Sequence, residues 1–308
     1  MPTQLLSRID IAARFGLPVP GFEAGPADHP IAAGRPPASV TDDTEQAVLI
    51  GRLLVAGHGH VTPAEVAAAL GAWEKDMERR GSLDLLGPST RRAIAAVAAG
   101  TPPEEAGRQG DTNGAAMRIA PVGIIVDGAD ETALVDRVVE VSRVTHHTGL
   151  ALAGAAAVAA AVSAGVARQS AGAGVARAVA AARAAARRGS WVAGGDVAER
   201  IGWAVGLVTG RDETDAMAVI ASLVGTGLAT QESVPAAFAV LAAVPDDPWR
   251  ACRQAASLGG DTDTIAAMVG AVAGARAGVD AFPTPALEAI AAQGFRLDEL
   301  AAELLALR

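Results

Sequence analysis

Apolar residues recur at three- and four-residue spacing through most of the chain, separated by short stretches rich in Gly, Pro, Asp and Ser. That period marks helices with one buried face, because 3.6 residues complete a turn. A first long helix is expected behind Thr41, with Ala47, Leu49, Ile50 and Leu53 on its apolar face. Thr62-Pro63-Ala64-Glu65 has the form of a capping box, with a helix running to about Arg80. Pro88-Ser89-Thr90 starts another, and Pro102-Pro103-Glu104-Glu105 a short one. Further helices are expected over residues 113–126, 130–144, 148–167, 175–188, 197–208, 212–224, 233–243, 249–257, 262–277 and 297–307. No alternating β-branched run marks a strand. The expectation is an all-α, compact, orthogonally packed fold, with residues 1–308 in one domain. The first forty residues carry Pro18, Pro20, Pro26, Pro30, Pro36 and Pro37 and read as an irregular covering segment after one short helix.

Composition sharpens this. The chain has 308 residues and is 51% hydrophobic, enough for a buried core, but only 3% aromatic with no Tyr. Ala, Val and Leu must therefore fill the interior, and helices must approach closely through small residues. Residues 148–167 form an uncharged stretch of membrane-span length, but it is mostly Ala and Gly, which gain little from lipid. A buried helix is expected there rather than a membrane span.

The net charge of -9 argues against nucleic-acid binding, which needs clustered cations. Arg177, Arg183, Arg187 and Arg188 read as a solvated helix face. A single cysteine, Cys252, excludes an intrachain disulfide and suits a reducing cytoplasm. The start, with Arg8, Asp10 and Arg14 and no long apolar core, is not expected to be a signal peptide.

Two stretches carry the chemistry. Thr41-Asp42-Asp43-Thr44 and Gly259-Gly260-Asp261-Thr262-Asp263-Thr264 each place two carboxylates and two hydroxyls ahead of an apolar helical run. Ser, Thr and Asp cap helix starts, so two ordinary N-caps are the simplest account. A cap needs one oxygen, however, and each stretch offers several. If the two starts meet, like charges about 4 Å apart repel by roughly 4 kcal/mol at an effective dielectric of 20. A cation or captured protons must offset that. Hard oxygen ligands without Cys point to two divalent ions, Mg²⁺ or Mn²⁺.

Asp111-Thr112-Asn113-Gly114, followed by Met117, Arg118, Pro121 and Gly123, is a third stretch. Its tight backbone suits either an anion or an Asx-type cap, with Arg118 in a structural ion pair. In Thr145-His146-His147-Thr148 the adjacent histidines point about 100° apart, so one can line a pocket while the other packs. His29, His58 and His60 lie in turn-like surroundings and read as surface residues.

Together, and in this order along the chain, these motifs resemble the ADP-ribosylglycohydrolase family. The resemblance implies an all-α fold with a dinuclear Mg²⁺ or Mn²⁺ centre, and hydrolysis of an ADP-ribosyl bond to a protein side chain or small acceptor. Thr41, Asp42, Asp43, Asp261, Asp263 and Thr264 match the family's metal ligands. Asn113, Gly114, His146 and Gly260 are the positions implied to line the ADP-ribose cleft, and Asp43 and Asp261 the carboxylates to position or deprotonate the water. Asp111, beside the Asn113-Gly114 turn, is a further candidate to handle the water or the leaving group, with a loop cap as its other reading. Family members usually begin with a helix ending in Gly-Asp-Ala-x-Gly and soon followed by an acidic residue. Here the sequence starts at Met1-Pro2-Thr3-Gln4, about where that helix should have ended, so the first helix is expected to be missing. Gln4 or Glu23 would then stand in the place of the acid. A non-catalytic ADP-ribose-binding or structural relative, and a metal-dependent phosphohydrolase, remain as alternatives.

Overall fold

The structure, a computed structural model, describes residues 2–81 and 86–308. Among the described residues the chain is all-helical, with two isolated bridges and no strand. The helices are α1 (Arg8–Phe15), α2 (Asp42–Ala56), α3 (Pro63–Arg79), α4 (Pro88–Ala98), α5 (Pro103–Ala106), α6 (Ala120–Ile125), α7 (Glu131–Ser142) and α8 (Gly149–Val166). They continue with α9 (Ala171–Ala186), α10 (Val197–Val208), α11 (Glu213–Val219), α12 (Thr230–Ala243), α13 (Pro248–Ala255), α14 (Thr262–Ala277), α15 (Thr284–Ala291) and α16 (Leu297–Leu305).

The core is built around α8. Every residue from Ala151 to Gly165 is buried, because α6, α7, α9, α12 and α14 surround the helix. A helix that is apolar on all sides has to be enclosed in this way. Ala and Gly make it thin enough for its neighbours to approach on every side. Among the described residues it is the one helix long and apolar enough to cross a membrane, and it lies inside the protein.

Most predicted helices are present. α3 begins with the expected capping box: Thr62 Oγ1 accepts from Glu65 N, and Glu65 Oε2 accepts from Thr62 N. The arginines on and after α9 are held at its surface, Arg183 by Glu199 at 2.8 Å and Arg188 by Asp136 at 2.6 Å. Arg177 donates to the Gly128 carbonyl at 2.6 Å.

Four differences have local causes. Residues 113–126 are not one helix but a single 3₁₀ turn, Asn113–Ala115, and then α6. The chain bends between them where Arg118 turns inward. α9 starts earlier than the apolar pattern, behind the cap Ser170. α12 starts at Thr230 and continues through Pro235. α15 was not anticipated, since only Ala286 of it is buried and no apolar stripe marks it.

His29 is buried, 3% exposed, rather than at the surface. The Pro-rich segment folds back on itself, with Gly25 N donating to the Arg35 carbonyl at 2.9 Å. Enclosed there, His29 Nδ1 accepts from the backbone of Ile31 and Ala32 at 3.2 and 2.9 Å.

Candidate active site

The starts of α2 and α14 lie side by side. Neither Thr41 nor Asp261, the residues at the two N-cap positions, uses its side chain to cap its own helix. Their oxygens engage one another's neighbours instead. Thr41 Oγ1 donates to Asp43 Oδ2 at 2.5 Å, and the Thr264 hydroxyl is close enough to both Asp43 and Asp261 to lower the pKa of each. Asn113 Nδ2 donates to Asp261 Oδ2 at 2.5 Å and lies 3.0 Å from Ser233 Oγ. Gln46 Nε2 reaches Asp42 Oδ2 at 3.4 Å, from one turn along α2. Two capping accounts of these motifs therefore fail, and a shared polar site takes their place.

Burial sets the electrostatics of this site. Asp42, Asp43 and Asp261 are buried; Asp263 is partly exposed as a residue, yet both its carboxylate oxygens are enclosed. Burial, then Asp43, Asp263 and Asp261, holds the Asp42 carboxyl well above the usual range. Asp43 is pushed up to about 7 by burial and the charge of Asp263. Asp263 also rises to about 7, through burial and Asp261. Asp261 rises to about 6 by burial and Asp43, against the hydrogen bonds from Asn113 and Thr264. The positive ends of two helix dipoles favour carboxylates here, but desolvation and mutual repulsion outweigh them.

Asp43 Oδ1 and both oxygens of Asp263 are buried acceptors with no donor. Such atoms are costly unless something fills them, and carboxylate and hydroxyl oxygens are the donor set of a hard divalent cation. The ligand set is not drawn closed. Among the described residues, no three His, Cys, Asp or Glu side chains are grouped tightly enough to hold an ion as they stand. Asp43 and Asp261 each turn one oxygen to a neutral donor, Thr41 and Asn113, which separates like charges.

Backbone contacts fix the two motifs. Gly260 has φ +74°, and a Cβ there would lie 2.5 Å from the Thr226 carbonyl. Gly260 N donates to the Leu6 carbonyl at 3.0 Å, and its own carbonyl accepts from Leu5 N at 2.8 Å. Thr3 Oγ1 lies 2.9 Å from Thr262 Oγ1. The segment after Pro2 thus clamps the 259–262 loop. Residues 225–229 act from the other side: the Thr226 carbonyl accepts from Asp261 N at 2.8 Å, and the Leu228 carbonyl from Asn113 N at 3.0 Å. Glu232 Oε2 holds this loop by accepting from Gly227 N at 3.0 Å.

The remaining sequence candidates fall around this centre. Gly114 and His146 are buried beside each other. His146 is wholly buried, with Nε2 3.0 Å from Thr112 Oγ1 and Nδ1 2.7 Å from Thr145 Oγ1. Arg118 is 1% exposed. It donates to Gln46 Oε1 and Thr145 Oγ1, both at 2.5 Å, so its direct partners are neutral rather than those of an ion pair. Burial lowers its pKa to about 10, against the attraction of Asp42. Asp111 is exposed, outside the buried cluster, and its carbonyl accepts from Thr230 Oγ1 at 2.7 Å. Glu45 turns away to Trp73 and Arg80. Gln4 is buried on the clamping segment, with Oε1 lacking a donor. Glu23 lines a cavity of about 210 Å³ together with Thr41, Asp43 and Asp263. A larger, mainly apolar cavity of about 950 Å³ opens beside Asp43 and Thr44, under α15 and α16. Its size is that of a small-molecule pocket.

Sequence reasoning gave no role to Gln46, Ser233 or the 225–229 loop, and in the Thr145-His146 stretch it weighed the histidines rather than Thr145. Gln46 had a signal, since it sits four residues after Asp42 on the same helix face. Ser233 and the 225–229 loop carry none, because only the tertiary fold brings them in.

Comparison with known proteins gives the family and the fold. The family model for ADP-ribosylglycohydrolase matches residues 1–308, and the chain belongs to that family. It is 34% identical over 290 residues to YegU of Escherichia coli (strain K12), described as uncharacterized, covering 94% of this chain and 86% of that protein. A stretch of 74 residues is 43% identical to the ADP-ribosylhydrolase ARH3 of Homo sapiens, covering 21% of this chain and 20% of ARH3. A solved structure described as an ADP-ribosylglycohydrolase-related protein complex superposes with a TM-score of 0.64, covering 99% of this chain and 96% of that one. At 23% sequence identity this last likeness shows the fold.

Proposed function

We propose that the protein hydrolyses an ADP-ribosyl glycosidic bond to a protein side chain or small acceptor, with two divalent ions, Mg²⁺ or Mn²⁺, at the starts of α2 and α14. The observation that carries this reading is the pair of uncapped helix starts. They place four carboxylates in one electrostatic cluster and leave three buried oxygens without donors. Thr41, Asp42, Asp43, Asp261, Asp263 and Thr264 would hold the ions. When bound, such ions polarise substrate oxygens and make a water acidic enough to attack near neutral pH.

The chain's own residues do the rest. Asp43 and Asp261 hold protons near neutral pH only in the metal-free protein, where burial raises them to about 7 and about 6; with ions bound they would be carboxylates that orient the water. Asn113 fixes one oxygen of Asp261, leaving the other to face the reacting water. Asp111 stands outside the cluster, where it can meet a leaving group entering from solvent. The Asn113-Gly114 turn and the groups behind it border the ADP-ribose, and the apolar cavity beside Asp43 supplies ligand-sized volume. The substrate is an ADP-ribosylated protein or small molecule met in the cytoplasm; the net charge of -9 disfavours a nucleic-acid backbone.

The test is release of ADP-ribose from ADP-ribosylated arginine and serine peptides with Mg²⁺ or Mn²⁺, against the same reaction in EDTA. Metal-dependent release of intact ADP-ribose is expected. Release of AMP would replace this reading by phosphohydrolysis, and binding without turnover by a non-catalytic role.

A further inference from the structure

One short loop holds two site residues that lie far apart in the sequence. The Thr226 and Leu228 carbonyls accept from Asp261 N at 2.8 Å and Asn113 N at 3.0 Å. Asn113 Nδ2 then reaches Asp261 Oδ2 at 2.5 Å and closes a ring. The shape of residues 225–229 therefore sets how the Asn113 amide meets the Asp261 carboxylate. That shape has to be imposed from outside, because Gly225 and Gly227 leave the loop conformationally free. Gly225 sits at φ +91°.

Arg200, half-buried on α10, spans both ends of this loop. Each end presents a carbonyl that its own helix cannot satisfy. Before the loop, Ile220–Val224 form a wide π-type turn, with Gly225 N donating to the Ile220 carbonyl at 3.2 Å. The turn stops there, so the Val224 carbonyl has no helical donor ahead of it. Beyond the loop, the Gln231 carbonyl in the first turn of α12 would accept from residue 235, which is proline and has no N–H. One guanidinium answers both: Nη2 donates to the Val224 carbonyl at 2.8 Å and Nε to that of Gln231 at 2.5 Å. Its planar fork fixes the spacing of the two carbonyls. The guanidinium lies over the ring of Trp203, 5.1 Å from its centroid. Gly195 leaves room for the side chain, since a Cβ there would lie 2.9 Å from Arg200 Cδ.

We propose that Arg200 is a positioning residue of the cation site. By bridging the Val224 and Gln231 carbonyls it fixes the 225–229 loop, and through Thr226 and Leu228 it holds Asp261 and Asn113 in register. It acts through the loop and touches neither ion nor substrate. This rests on the reading of Asp261 as a metal ligand.

Two measurements on the full chain test it. The first is amide hydrogen exchange of the metal-free protein. In R200A, exchange at Asp261 and Asn113 should rise at least about tenfold more than at Ala151, at the start of α8. An equal rise at all three amides, or none at Asp261 and Asn113, overturns the loop's dependence on Arg200. The second is calorimetric binding of Mn²⁺, which a merely stabilising side chain would not change in a protein that stays folded. R200A should weaken it by about tenfold or more. R200K keeps the charge but loses the two-armed fork, and it should fall between R200A and wild type in both measurements. Wild-type Mn²⁺ affinity in R200A overturns the positioning role. If R200A does not fold, R200K decides alone, and wild-type exchange and affinity in it overturn the proposal. If the wild type binds no Mn²⁺, the cation reading falls and the positioning role with it, while exchange still decides whether Arg200 holds the loop.

Discussion

The helix starts of this protein divide into two kinds. At α3, α8 and α9, Thr62, Thr148 and Ser170 each turn a hydroxyl back onto a backbone N–H of their own helix. At α2 and α14 residues of the same types are present in excess, and Thr41 and Asp261 cap nothing. The first kind satisfies its orphan donors locally. The second gives up that local stabilisation and gathers acceptors that the protein does not satisfy. Surplus capping groups that do not cap are the feature on which the proposed ligand site rests.

The largest expected consequence separates the two kinds by activity. Asp43→Ala should lower ADP-ribose release by more than about a hundredfold, the usual scale for losing a metal-dependent catalytic group. Thr62→Ala should leave it unchanged. Comparable turnover by wild type and Asp43→Ala would dissolve the distinction.

Next in size is the response to metal. Mg²⁺ or Mn²⁺ at a hundredfold excess over its dissociation constant should stabilise the wild type by about 2.7 kcal/mol. Melting curves of Asp261→Asn should show little of that gain, and its metal-free form should be more stable than metal-free wild type because one repelling charge is gone. Equal metal responses in both proteins would remove these residues from the site.

The pH dependence is smaller and has a definite sign. Asp43 and Asp263 are raised from 3.8 to about 7, so between these values the folded metal-free protein holds more protons than the unfolded chain. Metal-free stability should therefore fall as pH rises from about 4 to about 7, and level off above that. Saturating metal should flatten the upper part of the profile, and metal binding should weaken below neutral pH as protons compete. Urea unfolding at a series of pH values, with and without metal, checks this. Metal-free stability that rises across the window would contradict the assigned shifts.

The smallest effect belongs to the ordinary caps. Thr62→Ala should lower Tm by about 2–4 °C, with the metal response intact.

Much of this was legible in the sequence, for reasons that particular residues make plain. The 3.6-residue period fixed most helices, and the uncharged Ala/Gly run of residues 148–167 marked the central helix. The Asp-Thr stretches pointed to the candidate site because each offers more oxygens than one helix cap uses, and the structure brings the two together. What stayed hidden depends on tertiary enclosure. His29 looks like a turn residue until the Pro-rich segment folds over it. Arg118 looks like half of an ion pair, yet it ends among neutral partners, linking Gln46 to Thr145. The bend after Asn113–Ala115 follows from that inward turn, which no local pattern announces.

The central claim is that the starts of α2 and α14 form one cation site. Anomalous diffraction from crystals grown with Mn²⁺ measures it most directly. The account predicts manganese peaks between the two helix starts, within about 2.0–2.6 Å of carboxylate oxygens of Asp43, Asp261 and Asp263, and their loss in Asp43→Ala. Manganese bound elsewhere, or peaks that survive that substitution, would contradict it.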